Sequence, residues 1–470
     1  MVGHGLNRRL LADGAGLCSP GLWPPHERHA AQGIAEKIQE ALAEELDKWD
    51  RSLKAGLNGL FNEFAQGKAE EDPFPPEATR RLKNLLAELS APFRISLGPG
   101  EALQDQPIDV LLLGSVLRSL GDPDWEVFRL YATGVPLGMG VQMPRTPKVF
   151  PPKQKWSLPE QEAWGGPSEW ADLYQGATMK NYASAQERKV EITKVLESQA
   201  ERGQVLVLSE AEARRRYGKR LAIAALGSID KGLDDEGLIE VRVLHDGTHG
   251  VHLNRFIKVL DGGASPRAAD TKTCMRRQAA RNAIHRGMTV DVKEAHRLVA
   301  VRPCDWPLQA CQVYPGGPVY INKRGTFGVA SAAYWWSRLA AALQRAGLKV
   351  LANRFLLWVL LFADDFDLTG EGPGYAKAIF AFIWWLRLFN VPISWKKAKG
   401  GRVYTWVGYE KDLASWALGI SQSRADWLSA WLDAAIQARK SNTGKLSEAL
   451  GRMTFVYGAL HWDKTFLGPL

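Results

Sequence analysis

The run Leu360-Leu361-Phe362-Ala363-Asp364-Asp365-Phe366-Asp367 sets two adjacent carboxylates directly after an apolar stretch. Residues 355–362 and 365–369 have strand character, so the economical local structure is a β-hairpin with the acids at or near its tip. Two like charges beside an apolar strand are costly unless something positive compensates. A divalent cation does so; a solvated Asp-Asp turn is the alternative. A second fragment, Met288-Thr289-Val290-Asp291, ends a β-branched strand in an acid, far enough upstream for a helix to intervene. Neighbouring strands would then bring Asp291 beside Asp364. Mg²⁺ takes hard oxygen ligands and keeps positions for water and phosphate. Asp367 shares a strand face with Asp365 and is expected to be a solvated turn acid.

Around these fragments the pattern is mixed. Residues 1–26 are aperiodic and expected to be disordered. Residues 27–143 form a mainly helical region of unknown role, with apolar residues three and four apart at Ile34, Ile38, Leu42, Leu46 and Trp49. Further helices are expected at residues 78–89 and 107–120. Residues 144–204 combine a Pro-rich basic linker with a helical arm. From residue 205 short strands, turns and helices alternate, which suits an α+β fold with a sheet covered by helices on one face.

The chain has 470 residues and a formal charge of +9, a sign that fits a polyanionic partner. Cys18, Cys274, Cys304 and Cys311 form no C-x-x-C pair and are expected to be free thiols. No secretory leader is apparent, and the most apolar stretch, residues 355–363, is too short to span a bilayer. An intracellular protein without a membrane partner is expected.

Taken in order, the fragments resemble the palm motifs of reverse transcriptases. Asp291 to Ala295, followed by His296, matches the Asp-x-x-x-Ala-aromatic strand end, and Phe362-Ala363-Asp364-Asp365 matches the aromatic-x-Asp-Asp hairpin. Gly325-Thr326-Phe327-Gly328 is similar to the Phe-Gly loop beneath template and nucleotide. Ser394-Trp395-Lys396-Lys397 is similar to the lysine-bearing segment, and Thr405-Trp406-Val407-Gly408-Tyr409-Glu410 to the primer-grip hairpin. Glu240 to Asp246, then Leu253-Asn254, resembles a fingers strand. Leu450 to Phe455 and Phe466 to Leu470 resemble the segment following the thumb.

The resemblance implies a right-hand polymerase of fingers, palm and thumb, with an antiparallel palm sheet. Fingers would occupy residues 205–288, palm with interleaved fingers segment and primer grip 289–410, and thumb with the start of a connection 411–470. The implied activity is RNA-directed DNA polymerisation on a primer 3′-hydroxyl. Asp291, Asp364 and Asp365 would hold two Mg²⁺ ions, with Mn²⁺ an alternative. Arg242, His296, Phe327, Gly328, Lys396 and, more loosely, Lys231 would meet the nucleotide, with Gly328 letting backbone approach it. Phe362, Lys397, Trp406, Gly408 and Tyr409 would meet primer and template; Trp406 and Tyr409 are equally candidates for core. The partners would be an RNA or DNA template with primer and deoxynucleoside triphosphates. His296 stands where the family usually has Tyr or Phe, so sugar discrimination is expected to be looser. Phe362 stands where Tyr is usual. An RNA-directed RNA polymerase and an inactive nucleic-acid-binding remnant of a retroelement are the alternatives. Oligomeric state is not legible in the sequence.

Overall fold

The computed structural model describes residues 25–139, 141–146, 148–153, 179–233, 237–439 and 442–460. The expectations placed on residues 1–24, 154–178 and Phe466 to Leu470 lie outside the described residues. Strands β1 (Val205–Leu208), β2 (Ile223–Ala224), β3 (Leu226–Leu233), β4 (Ile239–His245), β5 (His285–Asp291), β6 (Ala310–Gln312) and β7 (Val319–Asn322) come first along the chain. They are followed by β8 (Leu357–Phe362), β9 (Asp365–Glu371), β10 (Lys399–Gly401), β11 (Val403–Trp406), β12 (Tyr409–Asp412) and β13 (Ala417–Ile420).

The chain forms two compact units. One takes the described residues of Met1–Leu86, Ala264–Lys293 and Gln344–Leu470; the other those of Ala87–Gly263 and Glu294–Leu343. The units are discontinuous in sequence and cut across the contiguous blocks drawn from texture. The helical block 27–143 is divided between them.

In the first unit β10, β5, β9 and β8 form an antiparallel sheet. Alternation along β9 sends Phe366 and Leu368 to one face and Asp365, Asp367, Thr369 and Glu371 to the other. The apolar face meets the helix Tyr375–Leu388, with Phe366 and Phe382 ring centroids 5.6 Å apart. That helix has buried residues on every side, from Ile379 and Phe380 to Trp384, Trp385 and Leu386. A helix apolar all round must be enclosed.

The N-terminal helices enclose it. The sequence predicts one helical stretch over 27–64. Two helices form instead, Pro25–Ser52 and Gly56–Ala65. The break is fixed by the Asp50 carboxylate, which accepts from the Leu57 N–H at 2.7 Å. Trp49 and Phe74 lie 5.1 Å apart, and both lie against Trp384. The Trp384 Nε1–H donates to Thr79 Oγ1 at 2.9 Å. Each such ring contributes about 1.5–3 kcal/mol by burial, and each aromatic pair about 0.5–1.5 kcal/mol more.

The polar face of the four-stranded sheet is partly covered by a three-stranded sheet of β11, β12 and β13. Tyr404, Trp406 and Leu413 from the small sheet pack with Leu360, Cys274 and Met275. Helices Gln422–Ala438 and Thr443–Ala459 follow.

In the second unit β1, β7, β6 and β2 form one sheet and β3–β4 a separate hairpin. Ser209 caps the helix Glu210–Tyr217 by accepting from the Glu212 N–H at 3.2 Å, as its Ser-x-x-Glu spacing predicts. Arg338 and Asp124 form a buried ion pair, with Nε–Oδ2 at 2.9 Å. Cys274, Cys304 and Cys311 are free thiols. No helix among the described residues is long and apolar enough to cross a membrane.

Candidate active site

The β5–β9 register sets Asp291 opposite Asp365. The β8–β9 register pairs Phe362 with Asp365, which leaves Ala363-Asp364 as a two-residue turn. Ala363 carries φ 55°, the left-handed conformation a tight hairpin asks of its first turn residue. The Val292 N–H donates to the Asp364 carbonyl at 2.9 Å, which ties the turn to the chain leaving β5. Cross-strand partners share a face, so Asp291 and Asp365 leave the sheet on one side and Asp367 follows one pleat along. The two distant acid fragments therefore meet on adjoining strands.

The next segment closes on them. The Ser394 N–H donates to the Asp291 carbonyl at 2.8 Å. This brings Lys397 Nζ within 3.1 Å of Asp291 Oδ2. The Lys397 side chain is 70% exposed, so the pair stabilises the fold by at most about 1 kcal/mol. Its value is a local counter-charge. Lys396 is exposed beside it, and Phe362 is exposed at the hairpin end.

Burial, and then the charges of Asp291, Asp367 and Asp364, push the Asp365 carboxyl up to about 8; Lys397 pulls the other way. Negative charge is thus concentrated here beyond what the neighbouring side chains neutralise. Among the described residues no group of three or more His, Cys, Asp or Glu side chains is gathered so that it could hold a metal ion. The donors nonetheless have the chemistry of a Mg²⁺ site, since that ion takes carboxylate oxygen from one or two residues and fills the rest of its shell with water and phosphate.

Asp367 departs from expectation. It is 1% exposed and paired with the equally buried Lys411, while Tyr404 Oη donates to its Oδ1 at 2.6 Å. The solvated turn acid is in fact a core ion pair. Its partner lies too far along the chain for local pattern to reveal it. Trp406 and Tyr409 are likewise core: Trp406 is 2% exposed, and Tyr409 stacks on Phe455 at 4.3 Å and 11°. Neither ring is free to stack on a base. Gly408 sits in the turn between β11 and β12 with φ 79°, and a Cβ there would meet the Arg424 guanidinium at 2.3 Å.

The remaining candidates belong to the second unit. Phe327 packs against His296 with ring centroids 4.6 Å apart and tilted by 60°, and the exposed Arg242 lies 5.0 Å over the Phe327 ring. Burial, helped by the Arg242 charge, lowers the His296 pKa to about 4, so its ring is neutral at pH 7. Gly328 has φ +98°, and a Cβ there would stand 1.9 Å from the His245 carbonyl oxygen. The space its missing side chain leaves is taken by the chain's own β4. Asn254 completes the joint: its Nδ2–H₂ donates to the Gly328 carbonyl and its Oδ1 accepts from the Ala330 N–H, both at 2.8 Å. The Leu-Asn pair marked this residue in the sequence without showing its task. Lys231 is ion-paired with Glu240 on the β3–β4 hairpin, both side chains substantially exposed.

No family model matches the chain, and no curated protein matches it. Among solved structures, the foamy viral protease-reverse transcriptase in complex with dsDNA superposes at TM-score 0.43 and 12% identity, covering 84% of this chain and 62% of that one. The same enzyme in complex with an RNA/DNA hybrid superposes at TM-score 0.42 and 13% identity, over 59% of this chain and 32% of that one. The chain therefore spans less than two thirds of those chains, and superposition at this level does not establish a shared fold.

Proposed function

We propose that this chain is a template-directed nucleotidyltransferase of reverse-transcriptase type, which extends a primer 3′-hydroxyl with deoxynucleotides. The observation that carries the reading is the register that sets Asp291 opposite Asp365 with Asp364 in the adjoining turn. In this reading the four-stranded sheet is the palm, the β11–β12 hairpin the primer grip, and the helices from Gln422 onward the thumb. Strands β3 and β4 with the loop Gly325-Thr326-Phe327-Gly328 belong to the fingers.

Asp291, Asp364 and Asp365 would hold Mg²⁺, or Mn²⁺ in its place. When bound, such ions supply Lewis-acid activation of the attacking hydroxyl and neutralise charge on the departing pyrophosphate. The chain's own residues position and neutralise. Lys397 holds Asp291 in place and offsets part of the cluster's charge. In the second unit the Arg242 guanidinium, braced on Phe327, presents donors suited to a triphosphate. His296, neutral and held against Phe327, offers the sugar a ring smaller than Tyr or Phe.

Primer extension tests this. The parent protein with oligo(dT)-primed poly(rA), Mg²⁺ and dTTP should lengthen the primer. Asp364→Asn should abolish extension while its thermal unfolding curve stays at the parental position. Equal extension by parent and variant would remove the acids from the chemistry.

A further inference from the structure

A buried polar cluster fastens the β11–β12 hairpin to the acid-bearing strand β9. Tyr404 and Lys411 are cross-strand partners, so both side chains leave the hairpin on the same face. Both end on Asp367. Tyr404 Oη donates to Asp367 Oδ1 at 2.6 Å, Lys411 Nζ pairs with Oδ2, and Nζ also donates to Tyr404 Oη at 2.8 Å. All three residues are at most 5% exposed. A Cβ on Gly287 of β5 would stand 2.2 Å from the Tyr404 ring, so a bare backbone position is what lets that ring cross the sheet to Asp367.

The fastening sits between two parts of the proposed site. Asp367 lies one pleat, about 7 Å, along β9 from Asp365. Tyr404 and Lys411 each lie three residues from the Val407-Gly408 turn. Both turn residues have positive φ, 49° and 79°, and Val407 is β-branched, a conformation that persists only where the surroundings impose it.

Stability alone does not call for an ion pair here. The neighbours are Cys274, Met275, Leu360, Trp406 and Leu413. Apolar side chains of similar volume replace such buried pairs at little cost. They do not supply directional bonds that fix one hairpin against another in a single register.

We propose that Asp367, Lys411 and Tyr404 form a buried clamp that sets the position of the Val407-Gly408 turn relative to Asp291, Asp364 and Asp365, and so places the primer terminus for attack. All three are positioning residues, and the proposal rests on the polymerase reading above. Displacing reacting groups by about 1 Å can cost about a hundredfold in rate.

The test is steady-state primer extension by the full chain, with thermal unfolding measured alongside. Asp367→Leu/Lys411→Met replaces the pair with apolar side chains of similar length. It leaves the Tyr404 hydroxyl with Thr369 Oγ1, 3.4 Å away, so it should unfold at or slightly below the parent and lose about a hundredfold in kcat. Its KM for dTTP should stay within about twofold, because no clamp residue reaches the nucleotide. Tyr404→Phe keeps the ring, removes one hydroxyl, and should lower kcat roughly tenfold; it decides the matter if the double variant does not fold. Parental kcat in a folded double variant or in Tyr404→Phe overturns the clamp and leaves the polymerase reading standing, as does a loss confined to KM. A parent that extends no primer overturns the polymerase reading and the clamp with it.

Discussion

Replacing Gly328 with alanine should destabilise the second unit by an amount that local backbone preference alone does not explain. Two separable effects contribute. An alanine held at φ +98° stores about 1–3 kcal/mol of backbone strain. Its Cβ would also stand 1.9 Å from the His245 carbonyl oxygen, whereas real contacts essentially never fall below 3.0 Å. The loop must therefore retreat from β4. Three hydrogen bonds lie in the path of that retreat. The His245 N–H donates to the Phe327 carbonyl at 2.9 Å, and Asn254 bonds the Gly328 carbonyl and the Ala330 N–H at 2.8 Å each. At about 1 kcal/mol net apiece, losing one or two adds about 1–2 kcal/mol. The expected total is about 2–5 kcal/mol.

Gly316 provides the internal control. It lies in the same unit at φ +76° with nothing within 4 Å of its would-be Cβ, so Gly316→Ala should cost only about 1–2 kcal/mol of backbone strain. Thermal unfolding followed by circular dichroism should place Gly328→Ala below Gly316→Ala by roughly 4–8 °C for a gap of about 2 kcal/mol. If the two variants melt within roughly 2 °C of each other, the close approach of β4 to the loop is not the reason for glycine at 328.

Three further outcomes are expected. Asp365, pushed up to about 8 from an ordinary 3.8, binds more protons in the folded than in the unfolded chain across that window. Stability of the protein in EDTA should therefore fall as pH rises from about 4 to about 8, and Mg²⁺ should flatten the decline; melting curves that stay level in EDTA would remove the charge crowding. Asp124→Ala strips the partner from a buried Arg338 and should cost about 3–5 kcal/mol in urea unfolding, far more than loss of an exposed ion pair such as Lys231–Glu240. His296→Phe enlarges the ring beneath the proposed sugar position, and should raise the ratio of kcat/KM for dTTP over UTP about tenfold.

The sequence was most informative where signals are short-range. The apolar run before Asp364 and Asp365 announced its hairpin, Ser209 its helix start, and the strand ending at Asp291 its meeting with that hairpin, although the residue opposite Asp291 is Asp365 and not the expected Asp364. Beyond that pairing, contacts between residues far apart in the chain were silent. Asp367 looks like any acid beside a turn until Lys411 and Tyr404 are brought to it from the far side of the chain. Gly328 was expected to let backbone approach a nucleotide, whereas the backbone that comes close to it is the chain's own β4. The role of residues 27–86 was hidden for the same reason. Their apolar periodicity shows that one face is buried but not against what, and the answer is a helix encoded three hundred residues later.

That helix, Tyr375–Leu388, has a practical consequence. Its Trp384 is shielded by Trp49 and Phe74, and its Phe380 by Trp49, Phe64 and Phe74. A fragment trimmed to begin at residue 205 would retain every acid of the proposed catalytic centre and still bare an oily flank. Anyone expressing a minimal version should expect inclusion bodies, and should keep the first helices or supply them in trans.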